Sequence, residues 1–174
     1  MSDRSSAWIY IGGPITEEGI KTLAEAIYNE GIGDDWDTRF KTEDEAEAHI
    51  RPAIEEGTSL HLFKNEVVGG YFGDLEATCR ELDLTYRRGD NGHYAYSATA
   101  VFWQPGMIKL PDSLEVGSHA ASNSDDEMLV GIASVIAVLD KEGPDGLAKW
   151  ARVLQEHFLA DIPPLTLAKA TVPA

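Results

Sequence analysis

Short apolar runs closed by glycine or proline alternate in this chain with amphipathic stretches that open on hydroxyls or acids and stop at glycine. That interleaving confines the fold to a mixed architecture, because runs of period two must pair as strands while runs of period 3.6 lay one face on a sheet. Ala7-Trp8-Ile9-Tyr10-Ile11 reads as a strand ended by Gly12-Gly13-Pro14, after which Thr16 caps a helix from Glu17 to Glu30. Ile20, Leu23, Ala24 and Ile27 repeat at helical spacing, Glu17 and Glu18 meet the positive end of the helix dipole, and Gly31 suits the C-terminal cap.

The same grammar continues. Gly33 to Lys41 reads as a loop, and Thr42 with Glu45 makes a capping box for a second helix, which Pro52 is expected to kink or split before Gly57 ends it. Leu60–Phe63 and Val67–Tyr71 read as two strands around Lys64-Asn65-Glu66, with Asp74 capping a short helix that carries Cys79. Leu84–Arg88 and His93–Trp103 form a hairpin around Gly89-Asp90-Asn91-Gly92, whose residues tolerate left-handed backbone. Ile11-Gly12-Gly13 and Val68-Gly69-Gly70 echo each other ahead of two helices, which points to ferredoxin-like split units. The expected class is therefore α+β, a mostly antiparallel sheet with helices packed on one face, plus a C-terminal antiparallel helix pair.

Residues 1–110 are expected to form the α+β domain and 111–123 a polar connection. Residues 124–160 form a helical hairpin packed on the domain, and 161–174 a mobile tail after Ile162-Pro163-Pro164. In the hairpin, Ser124 and Glu127 box a helix over Met128–Leu139. Gly143-Pro144 separates it from a stripe of Leu147, Trp150, Ala151, Leu154 and Phe158. Met128–Leu139 is the most apolar segment and falls well short of the ~20 residues a bilayer demands, so no membrane association is expected. No export signal is read at the start, and Cys79, the single cysteine, has no internal disulfide partner; both fit a cytoplasmic protein. Cys79 shares an apolar helical stripe with Leu75 and Leu82 and reads as a packing thiol.

Charge constrains partners more than fold. Thirty Asp and Glu against 14 Lys and Arg give a formal charge of -16 on 174 residues. Phosphate binding draws on lysine and arginine releasing counterions, so direct nucleic-acid binding is excluded as the expected role. Between Glu17 and Glu56 stand thirteen acids against four bases, Lys21, Arg39, Lys41 and Arg51, which leaves nine net negative charges in forty residues. Such a segment projects a field over roughly 8 Å in physiological salt. The candidate binding residues are Glu17, Glu18, Glu25, Asp34, Asp35, Trp36, Asp37, Glu43, Asp44, Glu45 and Glu47, with Trp36 as an aromatic anchor among carboxylates or else turned onto the core.

The common catalytic signatures are absent: His-Glu-x-x-His, paired Cys-x-x-Cys, Gly-x-Ser-x-Gly and Gly-x-x-x-x-Gly-Lys. Asp34-Asp35-Trp36-Asp37 supplies oxygen ligands, but a calcium loop begun at Asp35 would put Arg39 and Phe40 where a ligand and glycine belong, so no metal or cofactor is expected. His49, His61, His93, His119 and His157 have no nucleophile or metal partner at fixed spacing, although His93 with Tyr94 and Tyr96 makes a polar aromatic cluster.

Two resemblances stand beside this reading. Ile9-Tyr10-Ile11-Gly12-Gly13-Pro14-Ile15-Thr16 resembles the opening strand and loop of nucleoside deoxyribosyltransferase-like proteins. That resemblance implies a substrate pocket at Tyr10 and Gly13, with Asp74 in Gly70-Tyr71-Phe72-Gly73-Asp74-Leu75 where the family carries a catalytic glutamate. Gly73-Asp74-Leu75-Glu76, Cys79-Arg80-Glu81, Tyr94-Ala95-Tyr96 and Phe102-Trp103-Gln104-Pro105-Gly106 resemble small acidic proteins of bacterial phages, plasmids and other mobile elements. This second group implies a host-interaction role and no site residues. The leading expectation is a non-enzymatic acidic module that docks on a basic protein surface, a DNA mimic being its sharpest form. The alternative is a nucleosidase-like enzyme using Tyr10 and Asp74.

Overall fold

Alternation along the first strand decides how the sheet is faced. In β1 (Arg4–Ile15), Ser5, Ala7, Ile9 and Ile11 are buried, while Ser6, Trp8 and Tyr10 between them are half-buried. The computed structural model describes residues 4–92, 98, 100–105, 121–122, 128–129, 132–158 and 161–168. Within these lie an antiparallel sheet in the order β2 (Leu60–Val68), β1, β3 (Thr85–Asp90), β4 (Ala100–Trp103), and a short β7 (Leu165–Leu167) that runs parallel to the end of β1.

Helices α1 (Glu17–Glu30), α2 (Glu43–Glu56) and α3 (Gly73–Glu81) close the face that Ile9 and Ile11 enter. Ile20, Leu23 and Ile27 of α1, Ala46 and Ile50 of α2, and Leu75 and Cys79 of α3 share one core with Leu60, Leu62 and Tyr86 of the strands. Each fully buried Ile or Leu contributes about 1.5–3 kcal/mol of transfer free energy, which makes this face the main source of stability. The caps form as the sequence requires. Thr16 Oγ1 accepts from Gly19 N at 3.0 Å, Thr42 Oγ1 accepts from Glu45 N at 3.2 Å, and Gly31 and Gly57 close α1 and α2 with left-handed backbone.

The topology corrects the ferredoxin-like expectation. Two split units would make β1 and β2 parallel with a third strand between them, but they are direct antiparallel neighbours. Two helices, α1 and α2, follow β1 and return the chain to the end it left, so β2 comes back antiparallel, with Leu60 opposite Ile11. A single helix, α3, carries the chain from β2 to β3 on the other side of β1. One split β-α-β unit therefore exists, not two.

Several local expectations are revised. Leu60–Val68 is one strand that absorbs the supposed turn: the register slips between Ser5 and Ala7, and Glu66 takes a φ of 57°. Pro52 lies inside an unbroken α2. The carbonyl it deprives of a donor belongs to Ala48, which is exposed and can be satisfied by water. Asp74 does not cap α3; Phe72 occupies the cap position without a side-chain bond. The tail is partly strand, because Leu165 is fully buried and β7 pairs with Gly13, Pro14 and Ile15. Pro14 sits in β1 without loss, since β3 pairing stops at Gly12 and no strand calls on an N–H there.

After β4, Ala121–Ser122 (β5) pairs with Met128–Leu129 (β6), so Met128 begins a strand and the helix starts later, at Ile132. α4 (Ile132–Phe158) is interrupted at Gly143, whose φ of 71° and ψ of -174° are not helical. The expected cluster at His93, Tyr94 and Tyr96, His119, and most of the 111–123 connection lie outside the described residues. Among the described residues no helix is long and apolar enough to cross a membrane.

Candidate functional site

The acids of the first third divide between the helical layer and a loop. On α1 and α2, which pack side by side, Glu17, Glu18, Glu25, Glu43, Asp44, Glu45, Glu55 and Glu56 are exposed and Glu47 is half-buried. Arg51 joins the helices: its guanidinium reaches Glu17 at 3.0 Å and is bonded to Glu47, and these hydrogen bonds raise its already high pKa further. The carboxylate of Glu45 accepts from Lys41 N at 2.7 Å and is spent on the start of α2. Glu18, Glu25, Glu43 and Asp44 have no side-chain partner among the described residues.

Asp34, Asp35 and Asp37 stand apart from that layer, at the outer edge of β2. Gly33 and Phe63 exchange backbone hydrogen bonds of 3.1 and 3.0 Å, which ties the loop to the strand, and Asn65 Nδ2 donates to Asp37 Oδ1 at 3.0 Å. Inside the loop, Asp34 accepts from Thr38 Oγ1 and Asp35 from Trp36 N, so these two carboxylates shape the turn. Trp36 neither stands free nor enters the core. It is half-buried with its ring 4.7 Å from that of Phe63.

Phe63 opens a feature that the acid pattern concealed. On the sheet face away from the helices, Phe63 lies 4.1 Å from His61, His61 stacks on Tyr10 at 3.6 Å, and Tyr10 meets Trp8 edge-on at 5.3 Å. Arg87 sits over Phe102 on the same face, 5.8 Å from the ring centroid. Desolvation pushes the His61 imidazole down to about 4 and raises the Tyr10 phenol, so both are neutral at pH 7. The signal was present in the strand sequence: Trp8 and Tyr10 alternate against Ala7, Ile9 and Ile11, and His61 and Phe63 against Leu60 and Leu62.

A second polar constellation lies between α3 and β3, on the helical side. Arg88 Nε approaches Glu76 Oε1 at 2.7 Å and Arg88 Nη1 donates to the Gly70 carbonyl at 3.0 Å, with Asp90 3.8 Å away. Tyr86 OH donates to Glu76 Oε2 at 3.3 Å and accepts from Arg80 Nη1 at 2.7 Å; burial, then the Glu76 charge, raise its pKa. Cys79 is fully buried beside this group, and desolvation raises its thiol, which leaves it a packing residue with no accessible thiolate. The charges of the network are paired and bonded, as buried charges must be, and they fix α3 onto the sheet.

The enzymatic pairing does not assemble. Tyr10 lies on the open face in the aromatic row. Asp74 is exposed in the helical layer, at a groove of about 500 Å³ lined by Arg4, Glu30, Lys64 and Tyr71 among others. Glu30 Oε1 already accepts from the amide of Asp74 at 2.9 Å, so the start of α3, where a substrate anion would bind, holds a carboxylate of the chain itself. Among the described residues no group of three His, Cys, Asp or Glu is placed to hold a metal ion. Compared with known proteins, the chain matches no family model, no curated protein and no solved structure.

Proposed function

We propose that this protein is a non-enzymatic binding module whose acidic helical layer docks on a basic protein surface. The observation that carries the reading is the arrangement of α1 and α2. Packed together and cross-linked by Arg51, they turn Glu18, Glu25, Glu43 and Asp44 to solvent without basic partners among the described residues. Carboxylates on two rigid helices, at 1.5 Å of rise per residue, offer a fixed track of negative charge, and the matching partner is a surface built to hold nucleic-acid phosphates. Inhibition of a host nucleic-acid-binding protein by DNA mimicry is the specific form we favour, in line with the likeness to small acidic proteins of mobile elements and with a cytoplasmic setting. Tyr10 and Asp74 support no second reading, since they face different sides of the sheet.

A competition experiment tests this. A purified nonspecific DNA-binding protein, preloaded with fluorescent duplex DNA, is titrated with the full chain at rising salt. Displacement that weakens steeply with salt supports the reading, and displacement that is absent at low salt overturns it.

A further inference from the structure

We propose that the groove at the start of α3 is a subsite for an arginine side chain of the partner, with the Tyr71 ring as its stacking face and the Asp74 carboxylate as its charge. This deepens the docking reading and rests on it for the basic character of the partner. Tyr71 is 54% exposed, and Val68, which lines the same groove, is 60% exposed. The residues on either side of Tyr71 are anchored. The Gly70 carbonyl accepts from Arg88 Nη1 at 3.0 Å, and Phe72 is fully buried with its N–H donating to Glu76 Oε1 at 3.0 Å. Two glycines leave room for the ring: a Cβ at Gly69 would lie 2.9 Å from its Cε1, and one at Gly73 would lie 3.5 Å from its Cε2, so they bracket opposite edges. An aromatic side chain held this way and left in solvent is preorganised for a ligand, because little freedom remains to be lost on binding.

Charge selects the ligand. The groove, about 500 Å³ in volume, is lined by the carboxylates of Glu30, Glu66 and Asp74 against the cations of Arg4 and Lys64, which leaves one carboxylate in excess. Both cations are engaged by the chain itself: Arg4 Nη1 lies 3.2 Å from Glu66 Oε2, and Lys64 Nζ donates to the Glu30 carbonyl at the end of α1. Glu30 Oε1 accepts from Asp74 N at 2.9 Å, so the start of α3 is closed to an anion. The Asp74 carboxylate has no partner among the described residues. A free carboxylate, an exposed ring and the aliphatic wall of Val68 therefore share one groove. A guanidinium group matches all three. It is planar and weakly hydrated, stacks on an aromatic face and donates to carboxylate, while its methylene stem covers apolar surface.

Amide NMR of the full chain titrated with N-acetyl-arginine amide tests the subsite, beside its uncharged analogue N-acetyl-citrulline amide and inorganic phosphate. The arginine amide should shift Val68, Tyr71, Gly73 and Asp74 and bind about threefold or more tighter than the citrulline amide; Tyr71→Leu and Asp74→Asn should each weaken it about threefold. Both side chains are exposed, and Asp74→Asn, which keeps the native shape, decides alone should Tyr71→Leu fail to fold. No shift at these residues, equal binding of the citrulline amide, unweakened binding in a folded variant, or stronger shifts from phosphate would each overturn the proposal. The subsite and the docking reading fail separately. A chain that binds the arginine amide here but displaces no DNA keeps the subsite and loses the docking role, whereas one that displaces DNA with Tyr71 and Asp74 unshifted loses the subsite alone.

Discussion

The two faces of the sheet are built from adjacent residues of the same strands, yet they are organised on different physical terms. The helical face is aliphatic and sealed: Ile9, Ile11, Leu62, Ile20 and Leu23 have no exposed surface. The other face is aromatic and satisfies itself sideways, ring against ring from Trp36 to Trp8, with these rings half-buried and Phe102 on the same face fully buried. The contrast teaches where each property resides. Stability belongs to the helical face, and the charged exterior belongs to the backs of the helices that seal it.

The comparison breaks first at the core. Leu23→Ala should lower unfolding free energy by about 2–5 kcal/mol in urea titration, whereas Phe63→Ala on the open face should cost about half that, because its ring is only half-buried. Equal losses would mean that both faces are sealed alike. His61 sharpens the difference through pH. Its folded pKa lies below that of the unfolded chain, so the unfolded state takes up a proton first as pH falls, and stability declines from about pH 6.5 down to about 4. The ring remains partly wetted, which limits the decline to about 1–2 kcal/mol, and His61→Phe should flatten it. Thr42→Ala, which removes the acceptor for Glu45 N, should cost about 1 kcal/mol by thermal unfolding. Smallest of all, replacing Glu18, Glu25, Glu43 and Asp44 by their amides should shift stability by about 0.5 kcal/mol or less per site, since none is bonded within the described fold.

Much of the fold was legible because local signals agree with it. Thr16, Gly31, Thr42 and Gly57 mark helix ends by their own chemistry, and Ile9 with Ile11 marks the buried face by alternation. Illegible were the features set by distant residues. Pro14 and Leu165 read as chain breakers and tail until β7 is known to pair beyond the end of β3. Asp74 looked like a cap, but Glu30, from a helix far away in sequence, reaches the amides of α3 instead. Of the candidate site, the acids were visible as a count and their division between helix backs and loop was not. The row through His61 and Tyr10 forms only when β1 and β2 come into register.

Backbone amide NMR of the full chain, recorded while an arginine-rich peptide is added at low salt, tests the central assignment of binding to the backs of α1 and α2. Shifts concentrated at Glu18, Glu25, Glu43 and Asp44, and lost in the variant carrying the four amides, are the predicted result. Shifts confined to Trp8, His61 and Phe63, or undiminished in that variant, would contradict it.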